Sequence, residues 1–378
     1  MTKIKDVMAR FFFEAKNISG AEKTFHALFY HHLLEASFPH TRIAREYRIA
    51  RKSIDFVIFD RDQTGDFADP NGRATQAFEF KGGAYGDRNA LRDQVNPRRG
   101  RIEDIDKLAA IELAELNKWF ICIDLRDPGI ALGGDDVTTI ARMASDQGVH
   151  FVYFDQTADH FIAAPASGKL RSYPLEPIAS GRCNGSASIS LGKDELLLDD
   201  LLEYAGSIRG SEDNNVALIY HHLRQSGFTA EQLSLETYFG FANRKSSRMQ
   251  WRPDISVFDP AVRGLFNLYR QGDRRRSNDI HKLVNLRALI EVKGSTATHK
   301  YSDARLHRTY QDDLDKFVRW KTLVTEAKQE HDIRGVEEPS YVFFGFDKRS
   351  KPLSVESRSE LESFCHRHQI EFHYLHTP

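Results

Sequence analysis

The chain of 378 residues carries a formal net charge of −1, with 40% hydrophobic and 28% charged residues. The length predicts two or three domains, and the composition is ordinary for a soluble globular protein. The balanced charge argues against a protein that coats nucleic acid non-specifically, and no apolar run approaches the roughly 20 residues that a membrane span requires.

The first half of the chain alternates helical and strand-like patterns, which indicates α/β layers. In chain order, the predicted elements are a helical segment at 5–38 broken near 17–20, a strand pair at 43–49 and 53–60, a loop at 61–73, a strand at 76–81, a helix at 102–117, a strand at 119–125, a helix at 136–147 and a strand at 150–155. Residues 166–193 are rich in Ser, Gly and Pro and lack sustained periodicity, which predicts a linker.

The second half repeats this alternation. Its predicted elements are helices at 196–206 and 211–226, strands at 234–239, 253–258 and 287–293, a helix at 310–328, a strand at 340–346 and a helix followed by a strand at 356–375. An insertion at 260–286, with three arginines at 274–276, is expected to form a protruding loop or hairpin. We therefore predict two domains, 1–165 and 194–378, on either side of the linker.

One pattern of charged residues occurs once in each half. Asp55 lies in an apolar segment, and a Glu-x-Lys pattern follows at 79–81. Asp254 comes at the start of a similar segment, and Glu-x-Lys follows at 291–293. Because side chains alternate faces along a strand, the Glu and the Lys of each pattern point to the same side of the sheet.

The similarity between the halves extends beyond this pattern. A shift of 190 positions aligns Glu22 with Glu212, residues 30–33 with 220–223, Phe38 with Phe228 and Glu46 with Glu236. The register then slips because the second half carries extra residues, but residues 104–108 still resemble 313–317. The shared order of landmarks indicates a tandem pair of globular domains.

A carboxylate inside an apolar strand is costly unless it is paired or bound to a cation. Mg²⁺ is typically held by one or two carboxylates, waters and substrate phosphate oxygens, and a nearby Lys can hold or help deprotonate the attacking water or stabilise charge on the phosphate. The predicted catalytic residues are Asp55, Glu79, Lys81, Asp254, Glu291 and Lys293, of which the four acidic ones are predicted to bind Mg²⁺ or Mn²⁺. The alternative is a buried Asp-Lys-Glu ion network without catalysis.

These residues resemble the motif of the PD-(D/E)XK nuclease superfamily. Pro253, Asp254 and the Glu-x-Lys at 291–293 match the family name literally, whereas the first half has Ile54 in place of Pro. The resemblance implies two tandem restriction-endonuclease-like domains, each with a mixed central sheet flanked by helices, and Mg²⁺-dependent cleavage of DNA phosphodiesters. It gives the chemistry much better than the substrate.

Many members of this superfamily carry an acidic residue on the first core helix near the metal. Glu22 and Glu212 each stand at the end of a largely apolar helical stripe, so the resemblance implies that they are further metal ligands. The alternative is a first-turn Glu that is favoured by the helix dipole.

Basic residues near both motifs are candidates for contact with nucleic acid phosphates. The candidates are Arg51 and Lys52 before Asp55, Arg248 and Arg252 before Asp254, and Lys107 and Lys316 on the helices that follow the Glu-x-Lys strands. A solvated surface and helix-surface ion pairing are the alternatives.

The sequence thus favours a Mg²⁺-dependent DNA endonuclease that is a single-chain pseudo-dimer with two active sites, acting on double-stranded DNA. Restriction or anti-invader defence would suit such an enzyme. The alternatives are a nuclease for RNA or single strands and an inactive nucleic-acid-binding or assembly module.

The sequence predicts a cytoplasmic protein without a membrane partner. Its three cysteines are widely spaced, at Cys122, Cys183 and Cys365, and its N-terminus lacks a signal-type apolar core.

Overall fold

In the computed structural model, the chain forms two compact units, Met1–Arg182 and Cys183–Pro378. The structure describes residues 2–49, 52–63, 72–82, 100–113, 115–124, 132–166, 168–177, 211–240, 252–266, 274–295 and 301–376, with the single positions 67, 91, 95, 201 and 203. Each unit is an α/β structure in which helices flank one mixed sheet.

The first unit contains a sheet of seven strands in the order β1-β2-β3-β4-β5-β6-β7. Its described elements are α1 (Thr2–Ala15), α2 (Glu22–Glu35), a 3₁₀ turn (His40–Arg42), β1 (Ile43–Ile49), β2 (Lys52–Phe59), β3 (Ala74–Gly82), α3 (Glu103–Ala109), β4 (Asn117–Asp124), α4 (Gly134–Asp146), β5 (His150–Asp155), β6 (His160–Ala164) and β7 (Arg171–Pro174). Strands β1, β2 and β3 are antiparallel, β3, β4 and β5 are parallel, and β6 and β7 return to antiparallel pairing.

Aromatic packing fixes the first helices on this sheet. The ring centroid of Phe29 on α2 lies 5.4 Å from that of Phe56 on β2 and 5.1 Å from that of Phe80 on β3. Phe11 on α1 packs 5.4 Å from Phe29. Burial of these rings is a large apolar contribution to the core, and it holds the N-terminus of α2 near the end of β3.

The second unit contains a sheet of five strands in the order β12-β11-β10-β9-β8. Its described elements are α5 (Glu212–Gln225), a 3₁₀ turn (Ala230–Gln232), β8 (Leu233–Leu235), β9 (Ile255–Phe258), a 3₁₀ turn (Pro260–Val262), α6 (Arg274–Asn285), β10 (Leu286–Ser295), α7 (Asp303–Glu330), β11 (Ser340–Asp347), α8 (Val355–Arg367) and β12 (Glu371–His376). Pairing is antiparallel from β8 to β10 and parallel from β10 to β12, which is the sequence of directions seen from β1 to β5. The prediction of two α/β units with mixed sheets is confirmed.

Two predicted boundaries in the first unit are wrong. The helix predicted at 102–117 ends at Ala109, before the strand that begins at Asn117. Strand β7 lies inside the predicted linker 166–193 and pairs with β6, so the first sheet extends beyond the predicted domain end at 165. Main-chain hydrogen bonds can hold a strand at a sheet edge even when few of its side chains are apolar. Such a strand shows no hydrophobic alternation, so the sequence pattern does not predict it.

In the second unit, the insertion at 260–286 is not a loop or hairpin throughout, because α6 occupies Arg274–Asn285. Leu283 is buried, and Lys282 pairs with Asp279 one helical turn earlier at 3.1 Å. The strand predicted at 234–239 is only the three residues Leu233–Leu235. The helix predicted at 196–206 falls outside the described residues except at 201 and 203.

None of the helices in the described part of the chain has both the length and the apolar character that a membrane crossing requires. Cys122 and Cys365 are buried and carry free thiols, and Cys183 lies outside the described residues.

Candidate active site

Two neighbouring antiparallel strands bring the first Asp and Glu together. The register pairs Phe56 with Phe78, which sets Asp55 on β2 beside Glu79 on β3. The Phe80 main-chain N–H donates to Asp55 Oδ2 at 2.7 Å, and the Asp55 N–H donates to Glu79 Oε1 at 3.4 Å. Glu79 is buried, with 1% of its surface exposed. Main-chain donors therefore orient both carboxylates inside the sheet.

The end of β3 meets the N-terminus of α2. The Gly82 N–H donates to Glu22 Oε2 at 3.2 Å, and Lys81 Nζ lies 3.7 Å from Glu22 Oε1. Lys81 Nζ also lies 3.5 Å from Asp104 Oδ2 on α3. Because Lys81 is two residues beyond Glu79 on the same strand, it points to the same face of the sheet.

Helix α3 adds a second lysine to the cluster. Lys107 Nζ lies 2.6 Å from Glu79 Oε1 and 3.6 Å from Asp104 Oδ1. Asp104 was not among the predicted site residues, although its spacing of three from Lys107 puts both on one helical face. Asp106 instead contacts Arg101 at 3.3 Å, away from the cluster.

The second unit repeats the strand and helix contacts. The Val292 N–H donates to Asp254 Oδ2 at 2.7 Å, and the Gly294 N–H donates to Glu212 Oε2 at 3.4 Å. Lys293 Nζ lies 3.2 Å from Glu212 Oε2. Asp254 precedes β9 rather than lying in it, but its carboxylate occupies the position that Asp55 occupies in the first unit.

Helix α7 takes the place of α3 in the second unit. Lys293 Nζ lies 3.7 Å from Asp313 Oδ2, and Lys316 Nζ contacts Asp313 Oδ1. Lys316 Nζ is 3.9 Å from Glu291 Oε1. Asp313 is thus the counterpart of Asp104, and the aligned segments 104–108 and 313–317 held the signal for both.

Burial and mutual repulsion disfavour the ionised form of these carboxyls. Burial, reinforced by the charge of Asp55, raises the pKa of Glu79 to about 9. Burial raises the pKa of Glu22 to about 7 despite the nearby Lys81. Burial also raises the pKa of Asp55.

The second cluster behaves in the same way. Burial and the charge of Glu212 raise the pKa of Asp254 to about 8. Burial and the charge of Asp254 raise the pKa of Glu291 well above its ordinary value. In both units, these buried carboxyl groups therefore favour their protonated form despite the nearby lysines.

The two motif lysines are held in their protonated form. Burial by itself would lower the pKa of Lys81, but the summed attraction of Glu22, Asp104 and other carboxylates raises it. The pKa of Lys293 is raised in the same way, with Glu212 as the largest source of attraction. Both side chains act as fixed positive charges at neutral pH.

A histidine that sequence reasoning did not assign completes the first cluster. His26, buried on α2, directs Nε2 towards Asp55 Oδ2 at 3.7 Å and Glu22 Oε1 at 4.0 Å. Its Nδ1 lies 3.4 Å from Nη2 of the buried Arg45. Burial and the Arg45 charge lower the pKa of His26 well below its ordinary value. The spacing of four from Glu22 was the available signal.

Only some of the residues predicted to contact nucleic acid lie at the carboxylate clusters. Lys107 and Lys316 face the carboxylate clusters. Arg252 lies 4.0 Å from Glu236 and stacks over the Tyr238 ring at 5.9 Å. Lys52 begins β2 and is partly exposed, while the predictions for Arg51 and Arg248 fall outside the described residues.

In the first unit, Glu22, His26 and Asp55 each offer one ligand atom, and these atoms lie within 4.8 Å of one another, which suits a divalent cation. The second unit keeps the same charged groups, but its described residues do not by themselves form a group of three ligand atoms at this spacing. Comparisons with models of protein families, with curated proteins and with solved structures find no match.

Proposed function

We propose that the protein is a metal-dependent nuclease with one phosphodiester-hydrolysing site in each unit. The observation that carries the proposal is the repetition of one cluster in both units. It consists of a helix Glu, an Asp in or directly before a strand, a Glu-x-Lys pair and a helix Asp-x-x-Lys, and two of its main-chain contacts recur in both units. A buried ion network needed only for stability would not have to keep each of these contacts twice.

The donor set fits Mg²⁺ or Mn²⁺. Asp55 and Glu79 would hold the cation in the first unit, with Glu22 as a further oxygen ligand. The raised pKa values of Glu22 and Glu79 support this assignment, since carboxyls that favour a proton in the empty cluster would exchange it for a divalent cation. The cation supplies Lewis acidity and neutralises charge at the phosphodiester.

The second unit offers Asp254, Glu291 and Glu212 in the same places. Asp254 keeps its orientation through the Val292 N–H, and Glu291 is 6% exposed, so both carboxylates are fixed before any ligand arrives. Preorganised groups lose little free energy on binding, which favours productive geometry.

The lysines have an electrostatic role in this proposal. Because the surrounding carboxylates hold Lys81 and Lys293 protonated, neither is suited to remove a proton from water at neutral pH. Each ammonium group instead holds the attacking water or stabilises charge that develops on the phosphate oxygens. Asp104 and Asp313 position these lysines from the following helix.

Double-stranded DNA is the favoured substrate, because cleavage of a duplex needs one hydrolytic event in each strand and the chain carries two clusters. We place the chain in the PD-(D/E)XK superfamily as part of the same proposal, supported by the motif on adjacent strands of a mixed sheet. A role in restriction or anti-invader defence would use this activity.

The test is cleavage of supercoiled plasmid, linear duplex, single-stranded DNA and RNA with Mg²⁺, Mn²⁺ or EDTA. We expect nicked and linear plasmid with either metal and none with EDTA. Cleavage of RNA or single strands alone would replace the duplex substrate, and binding without cleavage would identify an inactive binding module. Cleavage that persists in EDTA would overturn the metal-dependent mechanism.

A further inference from the structure

The two clusters rest on different buried side chains. In the first unit, His26 on α2 lies between the carboxylates and Arg45 on β1. The shift of 190 positions that aligns Glu22 with Glu212 places Val216 and Leu235 at these sites in the second unit, and both are buried. The polar pair beneath the first cluster is thus replaced by two aliphatic side chains.

The contact with Arg45 determines what His26 offers to the cluster. A guanidinium has only donors, so the Arg45 Nη2 contact at 3.4 Å makes His26 Nδ1 an acceptor. The neutral ring then carries its proton on Nε2, the atom that lies 3.7 Å from Asp55 Oδ2. A metal-binding histidine needs the opposite arrangement, with a free lone pair towards the metal and an N–H towards its supporting partner. In this tautomer His26 directs an N–H towards the carboxylates, at 3.7 Å rather than at hydrogen-bond distance, and presents no lone pair to a cation.

Charge neutralisation also differs between the units. Lys107 lies 2.6 Å from Glu79, whereas Lys316 lies 3.9 Å from Glu291 and contacts Asp313 more closely. Arg45, 2% exposed, adds a buried positive charge beside His26, at the position where the second unit has Leu235.

Each unit also has an acidic residue on the first strand side of the cluster that is paired with a basic one. Glu46 pairs with Lys23 at 2.5 Å, and its counterpart Glu236 lies 4.0 Å from Arg252. Among the described residues, each cluster thus has four carboxyl groups and two lysines, and the first cluster has the Arg45 guanidinium in addition.

We propose that the His26–Arg45 pair makes the first cluster the weaker of two divalent-cation sites, so that the second cluster is loaded first. This inference rests on the proposed function, because it assumes that both clusters bind a cation. A buried unit charge acting through a protein interior changes divalent-cation affinity by about tenfold or more. Over a range of cation concentrations, the protein would hold one cation and cut one strand only.

The experiment is a titration of the full chain with Mn²⁺, with free ion counted by electron paramagnetic resonance, and with Mg²⁺ by calorimetry. We expect two binding classes that differ by about tenfold or more. Asp254→Asn should remove the tighter class, and Asp55→Asn the weaker one. Equal affinities, or the reverse assignment, would overturn the proposal.

The double variant His26→Val with Arg45→Leu gives the first unit the side chains of the second. The weaker class should tighten towards the stronger one, while the stronger class serves as the internal control. If the double variant removes the weaker class, His26 is a metal ligand and the proposal fails. Arg45→Met alone, which keeps most of the side-chain volume, should also tighten the weaker class if the double variant does not fold. No binding by the wild-type protein would instead refute the proposed function itself.

Discussion

The two units present the same charged groups on the same strand order but differ in how those groups are supported. In the first unit, Lys107 is paired closely with Glu79, and His26 and Arg45 lie beneath the cluster. In the second, the supporting side chains are aliphatic and Lys316 is turned towards Asp313. The groups proposed to act on substrate are repeated, whereas the groups that tune them are not. In our proposal the reaction would be common to both units, whereas the cation affinity and the pH response would differ between them.

The largest expected effect on cleavage comes from removal of the motif lysines, Lys81 and Lys293. Lys81→Ala and Lys293→Ala should each inactivate one cluster, so that each single variant nicks supercoiled plasmid and stops at the open-circle form. The double variant should lose cleavage altogether, because loss of one preorganised charge-stabilising group costs on the order of 10²–10³ in rate. Gel analysis of plasmid time courses measures these outcomes.

Two other lysines provide matched controls for this experiment. Lys118 in the first unit and Lys321 in the second each donate to a main-chain carbonyl outside the clusters. Their alanine variants should linearise plasmid as the wild-type protein does. If one motif variant abolishes all cleavage and the other has no effect, only one unit is active and the pseudo-dimer is wrong.

The sequence predicted the parts of the site that depend on local pattern. Strand alternation placed Glu79 and Lys81 on one face, and the repeated order of landmarks indicated two units of similar topology. The structure places Glu22 and Glu212 in the first turn of a helix, where each accepts a main-chain N–H from the glycine after the motif Lys, and their binding of a metal stays a prediction.

What the sequence missed depends on contacts between distant segments. Arg45 and His26 are 19 positions apart and meet only because β1 runs beneath α2. The sequence does not single out Asp104, because helix-surface ion pairing explains its segment equally well. Strand β7 lies in a segment whose sequence predicts a linker, because the strand pairs through its main chain at a sheet edge and has little apolar sequence.

The second prediction concerns how the free energy of unfolding depends on pH, and it tests the raised pKa of Asp254 in the second unit. Its pKa is raised from an ordinary value near 3.8 to about 8, so the unfolded chain binds fewer protons than the folded protein between these values. The contribution of Asp254 to stability is therefore fully present below its unfolded pKa and is lost as the pH rises through about 8. Asp254→Asn should stabilise the metal-free protein at pH 8 by roughly 1–3 kcal/mol and much less at pH 5.

The melting temperature with EDTA across this pH range measures the effect, and excess Mg²⁺ should stabilise the wild-type protein more than the variant. Asp259→Asn in the same unit is the control, because it should change the stability at pH 8 in the opposite direction. Hydrogen bonds from Arg287 and the Ala261 N–H lower the pKa of Asp259, so its substitution should destabilise the protein at pH 8. An Asp254→Asn variant that is less stable than wild type at pH 8 would show that the carboxylate is stabilising without a cation.

The smallest expected effect concerns the helix aspartates that position the lysines. Asp104→Asn removes a charge 3.5 Å from Lys81 Nζ, so the ammonium group is held less firmly and the first cluster should slow by about tenfold or less. Asp106→Asn, two residues away on a contact with Arg101 and Gln147, is the matched control and should leave the rate unchanged. The measurement is the nicking rate in a Lys293→Ala background, where only the first cluster acts.

A positioning role requires that added Mg²⁺ does not restore the rate, because the defect lies in the lysine rather than in cation binding. Full recovery at high Mg²⁺ would instead make Asp104 a contributor to cation affinity, and an equal loss in Asp106→Asn would assign both aspartates to the stability of α3.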